Sequence, residues 1–126
     1  MVCKETLVYV ADNSGARRGQ VIFVYKTKLR GILLGRQLLL TLKRIVPNNL
    51  KKLKKGDKVK AVLVTSSSWL KQNNIGYEAK NKLNKFVVLK KNEITLPLGT
   101  RVTIKVSKFL RYLGYIRLCL ISKGLY

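Results

Sequence analysis

The sequence predicts a mainly β protein, built as a small barrel or sandwich. Short segments rich in Val, Ile, Tyr, Phe and Leu recur along most of the chain, with turn residues between them. Within several of these segments apolar and polar side chains alternate with the period of two that a strand imposes. The chain has 126 residues, of which 47% are apolar. That fits a single domain over residues 1–126, since domains usually run about 100–150 residues. The apolar content is also enough to offset the entropy of ordering, which a disordered basic tail could not do. A barrel would further remove the exposed edges of so many β-prone segments.

The elements follow in order. Thr6 to Val10 and Gln20 to Tyr25 read as strands around a polar turn. In the next stretch Leu38, Leu40 and Leu42 alternate with Leu39, Thr41 and Lys43, and in the one after it Val59, Ala61 and Leu63 alternate with Lys58, Lys60 and Val62. Phe86 to Leu89 is short and apolar. Thr100 to Val106 has the clearest alternation, with Val102, Ile104 and Val106 on one face and Arg101, Thr103 and Lys105 on the other. A C-terminal helical segment is expected over about 107–122. Ser107 would cap a first helix carrying Phe109, Leu110 and Leu113 inward, and Gly114 would stop it; in Tyr115 to Ser122, Ile116 with Leu120 fits a helix and Ile116, Leu118 and Leu120 fit a strand, and helix is the preferred reading. Pro47 to Lys55, closed by a Gly56-Asp57 turn, and the polar stretch Ser66 to Asn84, with Trp69 and Tyr77, look like projections.

Charge then narrows the function. Lys and Arg total 27 against 5 Asp and Glu, for a formal charge of +22. Self-repulsion on that scale weakens a compact state unless a polyanion neutralises it. There is no histidine, which removes Ser-His-Asp and Cys-His catalysis and imidazole metal sites. The five acids are scattered, so paired-carboxylate chemistry has little material. Cys3 and Cys119 lack Cys-x-x-Cys spacing, exclude a zinc ribbon, and are expected as two reduced thiols. The apolar run Ile32 to Leu42 is broken by Gly35, Arg36 and Gln37 and falls short of the ~20 residues a membrane span needs. No enzyme, cofactor, metal or membrane partner is expected.

The positive charge is placed. Asp12-Asn13-Ser14-Gly15-Ala16-Arg17-Arg18 combines side chains that fold back on their own backbone with a glycine and two arginines suited to phosphate. Lys51, Lys52, Lys54 and Lys55 form the densest cluster, beside Leu50 and Leu53, which are expected to pack inward. Arg101 and Lys105 share a strand face. Phe23, Tyr25 and Phe86 are read as core or barrel wall. A rival reading makes them a stacking platform, giving a free single-strand nucleic-acid-binding barrel.

Three motifs add a resemblance. Val10-Ala-Asp-Asn-Ser-Gly-Ala-Arg-Arg18, Lys54-Lys-Gly-Asp-Lys-Val-Lys-Ala-Val-Leu-Val64 and Pro97-Leu-Gly-Thr-Arg-Val102 follow the order and approximate spacing of the universal large-subunit ribosomal protein fourteen family, which the chain resembles over nearly its whole length. The resemblance implies a five-stranded β-barrel, a projecting β-ribbon and short C-terminal helices. It implies binding to large-subunit rRNA near the subunit interface and a bridge to small-subunit rRNA. Neighbours would be the large-subunit proteins three and nineteen and a ribosome silencing factor, rather than a second copy of the chain. The rRNA-binding residues expected on the combined reading are Asn13, Ser14, Arg17, Arg18, Arg44, Lys51, Lys52, Lys54, Lys55, Arg101, Lys105, Lys108 and Arg111. The chain departs from the family pattern in Lys108-Phe109-Leu110-Arg111, where an acid is usual, in Leu83 to Val88, and in the degenerate 66–84 stretch that stands where the ribbon is expected. An excess of Lys over Arg, 19 to 8, together with abundant Asn, Ile and Leu and no visible leader, points to a mitochondrially encoded member working in the mitochondrial ribosome. A plastid or bacterial source is the alternative.

Overall fold

The computed structural model describes residues 4–25, 34–49, 51–65, 84–93 and 95–125. Five strands close into a mixed barrel: β1 (Leu7–Val10), β2 (Ala16–Val24), β3 (Gln37–Ile45), β4 (Lys58–Thr65) and β5 (Lys85–Val88). Successive strands pair antiparallel, and the barrel is closed by a parallel pairing of β1 with β5, Tyr9 against Lys85 and Val10 against Phe86. A small parallel pair, β6 (Lys105–Val106) with β7 (Gly124–Leu125), and two short helices, α1 (Phe109–Tyr112) and α2 (Ile116–Ile121), complete the described chain. The ribbon implied by the resemblance falls largely on 66–83, outside the described residues, as do Trp69, Tyr77, Leu50 and Cys3.

The period-two patterns sort side chains into two cores. Leu38, Leu40 and Leu42 face the barrel interior with Val8, Val21, Ala61, Leu63, Phe86 and Val88. The intervening residues on β4 and β5 are also buried. Val62, Val64, Val87 and Leu89 form a second cluster with Val102, Val106, Leu110, Tyr115, Leu118 and Cys119. The C-terminal segment therefore lies over the outer face of β4 and β5. A strand covered on both faces reads as a continuous apolar run, which is why the alternation in β4 stops at Lys60 and Ala61 to Val64 are all buried.

One expectation needs correction. Thr100 to Val106 is a regular strand only over Lys105–Val106. Its inward and outward faces are as read, with Val102 and Val106 buried and Arg101 and Thr103 exposed, but its partners change along its length. Val102 bridges Asp12, the Thr103 amide donates to the Ala11 carbonyl at 2.7 Å, and only then does the segment meet β7. Ser107 caps α1 as expected: its hydroxyl accepts the Phe109 N–H at 3.2 Å, while Lys108 makes no side-chain cap bond. Gly114, at φ +97°, ends α1 as expected. The second helix forms, but it buries Leu118 and Cys119 and leaves Ile116 and Leu120 exposed.

Candidate nucleic-acid interface

Antiparallel pairing brings the end of β1, the start of β2, the end of β3 and the start of β4 to one rim of the barrel. Here segments distant in sequence meet. The Asp12–Gly15 turn is tied to the 97–101 loop through Asn13, whose Oδ1 accepts the N–H groups of Thr100 at 2.9 Å and Arg101 at 3.0 Å. Its Nδ2 donates to the Thr100 hydroxyl at 2.9 Å. On the other side, the Val46 amide donates to the Gly15 carbonyl at 2.7 Å. Gly15 sits at φ +101°, and a Cβ there would overlap the Asn49 side chain, so the position needs glycine twice over.

Asp12 anchors the turn from within. Its carboxylate accepts the Ser14 hydroxyl at 2.7 Å, the Ser14 amide at 3.2 Å and the Val88 amide at 3.0 Å. Burial raises its pKa above the ordinary carboxylate value, and those hydrogen bonds oppose the rise. Ser14 is 1% exposed, so its hydroxyl is spent inside the turn. Of the two small polar residues expected to meet RNA, Asn13 stands at the surface and Ser14 beneath it.

The arginines are aimed by a break in the β2 ladder. Ala16 and Val21 both belong to the barrel interior although an odd number of steps separates them, which a regular strand cannot allow. Register shifts between Ala16 and Arg18 and between Arg18 and Gly19 supply the missing step. As β-bulges do, they re-aim neighbouring side chains. Arg17 and Arg18 consequently line the same groove, of about 760 Å³, together with Arg44, Lys85, Tyr9 and Asn48. Arg18 pairs directly across the sheet with Arg44, and its guanidinium carbon lies 5.8 Å from the Tyr9 ring centroid. Its Nε is buried with no hydrogen-bond partner among the described residues. Lys85 reaches this groove because the parallel closure sets it beside Tyr9.

The lysine cluster is an exposed, shaped loop. Asn49 organises it, its Oδ1 accepting the Leu53 amide at 2.7 Å and its Nδ2 donating to the Val46 and Leu53 carbonyls, both at 3.0 Å. Leu53 packs on the barrel core as expected, while Lys51, Lys52, Lys54 and Lys55 point to solvent. The Gly56-Asp57 turn forms, with Gly56 at φ +92° and the Asp57 carboxylate accepting the Lys54 amide at 2.9 Å. Lys51 belongs to a second groove, of about 680 Å³, with Lys58, Lys60 and Lys91. Arg101 is exposed beside the Asn13 turn. Lys105, Lys108 and Arg111 lie on the C-terminal segment, away from both grooves.

Of the three aromatics, Phe86 is wholly buried inside the barrel, whereas Phe23 is 44% exposed and meets the half-buried Tyr25 edge-on at 5.1 Å, so these two are wall and not core. Among the described residues no cluster of three or more potential metal ligands forms, and no helix is long and apolar enough to cross a membrane. Cys119 is a buried free thiol whose pKa burial raises, against the influence of Arg111, and it stays protonated near neutral pH. The sum is a cationic rim with a recessed groove. A family model described as ribosomal protein L14p/L23e matches residues 1–125.

Proposed function

The chain belongs to the ribosomal protein L14p/L23e family, and from that premise we propose that it binds large-subunit rRNA through the rim formed by the 11–18 turn, the 46–57 loop and the 97–101 loop. Members of this family are structural rather than catalytic parts of the ribosome. One observation carries the reading: Arg17, Arg18, Arg44 and Lys85 converge on one groove, where the only acid among the described residues, Asp12, is engaged by three donors of the fold itself. Cations gathered this closely, without carboxylate partners, are stabilised by phosphates. Lys51, Lys52, Lys54, Lys55 and Arg101 extend the same positive surface.

Lys105, Lys108 and Arg111 on the C-terminal segment carry further rRNA contacts in this reading. The exposed apolar side chains Tyr112, Ile116 and Leu120 of α1 and α2 suit protein neighbours. Large-subunit proteins three and nineteen, and a ribosome silencing factor, are the neighbours we assign to them, with a bridge to small-subunit rRNA nearby. The excess of Lys over Arg, with abundant Asn, Ile and Leu, supports a mitochondrially encoded protein of the mitochondrial ribosome.

Sucrose-gradient sedimentation of a native lysate tests the proposal. At low salt the protein should travel with the large subunit. Release on raising the salt should be steep, since about six phosphate contacts lose on the order of a thousandfold in affinity over a fourfold salt increase. Sedimentation away from the large subunit at low salt would falsify the reading.

A further inference from the structure

We propose that the groove between the 11–18 turn and the 46–49 turn seats a single unstacked nucleotide of RNA, its phosphate held between Arg18 and Arg44 and its base laid beside Tyr9. This inference deepens the rRNA-binding reading and rests on it.

The first support is the pairing of Arg18 with Arg44. Like charges directly opposed on neighbouring strands repel. An anion bridging two guanidiniums reverses the sign of that contact, and Arg donors fit phosphate oxygens in pairs. The Arg18 Nε, buried and without a hydrogen-bond partner among the described residues, shows that the fold itself does not satisfy this guanidinium.

The second support is the rest of the lining. A track for phosphates alone needs only exposed cations, as the 51–55 loop provides. This groove is recessed, with Val10, Ala16 and Val46 among its walls and the Tyr9 ring beneath the Arg18 guanidinium. Apolar walls and a ring–guanidinium stack are what an exposed nucleobase requires. Its volume of about 760 Å³ falls in the range of small-ligand sites. Asn48 at the rim adds an amide able to hydrogen-bond a base edge. An A-form duplex keeps its bases stacked inside and presents only backbone and groove edges, so it would leave the recess unfilled.

The test uses the full chain and two RNA hairpins with the same stem, one fully paired and one carrying a single bulged adenosine. The wild type should bind the bulged hairpin about tenfold more tightly, roughly the worth of one stacked base. Tyr9→Leu should bring the two affinities within about twofold of each other by losing the bulge-specific part, the size of one stacking contact. Tyr9→Phe should keep the preference, because the ring is retained. Arg44→Ala, at an exposed position that folding tolerates, should weaken binding to the bulged hairpin more than to the paired one. Equal wild-type affinity for both hairpins overturns the nucleotide seat and leaves the rRNA-binding reading standing. Binding to neither overturns both. A preference that survives both Tyr9→Leu and Arg44→Ala moves the seat elsewhere and sinks the assignment to this groove.

Discussion

The Oδ1 atom of Asn13 lies 2.7 Å from the position a Cβ would occupy on Gly99, with the Ser14 amide nitrogen at 3.2 Å from the same point. Two loops far apart in sequence thus touch with no room for a side chain. Gly99→Ala should cost about 1–3 kcal/mol, because the Asn13 amide that must give way is held by three hydrogen bonds with backbone close behind it. Asn13→Ala should cost about 1 kcal/mol, since the two freed N–H groups can reach water. The pair should not add: with Asn13 shortened, the Gly99→Ala overlap is partly relieved. A double-mutant cycle by urea denaturation reads the coupling.

The C-terminal segment is pinned to the barrel by one phenol. The Tyr115 hydroxyl donates to the Gly35 carbonyl at 3.1 Å and accepts from the Gln37 side-chain amide at 3.3 Å. Tyr115→Phe keeps the packing and leaves that buried carbonyl short of a partner, for a loss of about 1–2 kcal/mol. Hydrogen exchange should show the loss most strongly in α2 and the 34–37 turn.

Asp12 sets a pH dependence opposite to that of a salt-bridged carboxylate. Its folded pKa lies above the unfolded value, so the folded state binds more protons across the interval between the two. Its contribution is therefore most favourable below the unfolded pKa and is lost as pH rises through the folded one. The wild type minus Asp12→Asn difference in unfolding free energy should fall as pH is raised from acid towards neutral. A difference that rises with pH would contradict the burial-dominated environment.

Neutralising one groove cation should change a slope as well as an intercept. Arg44→Ala should reduce the dependence of log affinity on log salt for single-stranded RNA by about 0.7, the share of one phosphate. Filter binding at four or five salt concentrations measures it.

The barrel was legible because its interior residues are local in pattern. Leu38, Leu40 and Leu42 announce one face within five residues, and a closed sheet is the economical way to bury several such faces. Thr100 to Val106 misled because alternation reports which side is buried and not who the partner is, and this segment exchanges Asp12 and Ala11 for β7 midway. At the candidate site, the turn chemistry of Asp12 to Gly15 could be read from residue types. The inward commitment of the Ser14 hydroxyl could not, because it depends on a carboxylate that also serves Val88 across the fold. The position of Lys85 in the groove could not be read for a similar reason. Its place beside Tyr9 exists only once the parallel pair has closed.

That parallel pair bears on when the protein can become itself. Tyr9 has no barrel partner on its far side until Lys85 has been synthesised and has returned to it. Pairing over so long a stretch of chain closes slowly, because its loop entropy is spent before any contact rewards it. During synthesis β1 to β4 would stand as an open, strongly cationic sheet with an unprotected edge on each side. Such an intermediate is exposed to aggregation and to non-specific capture by any nucleic acid within reach. For this chain, the timing of barrel closure relative to RNA encounter becomes a determinant of correct assembly.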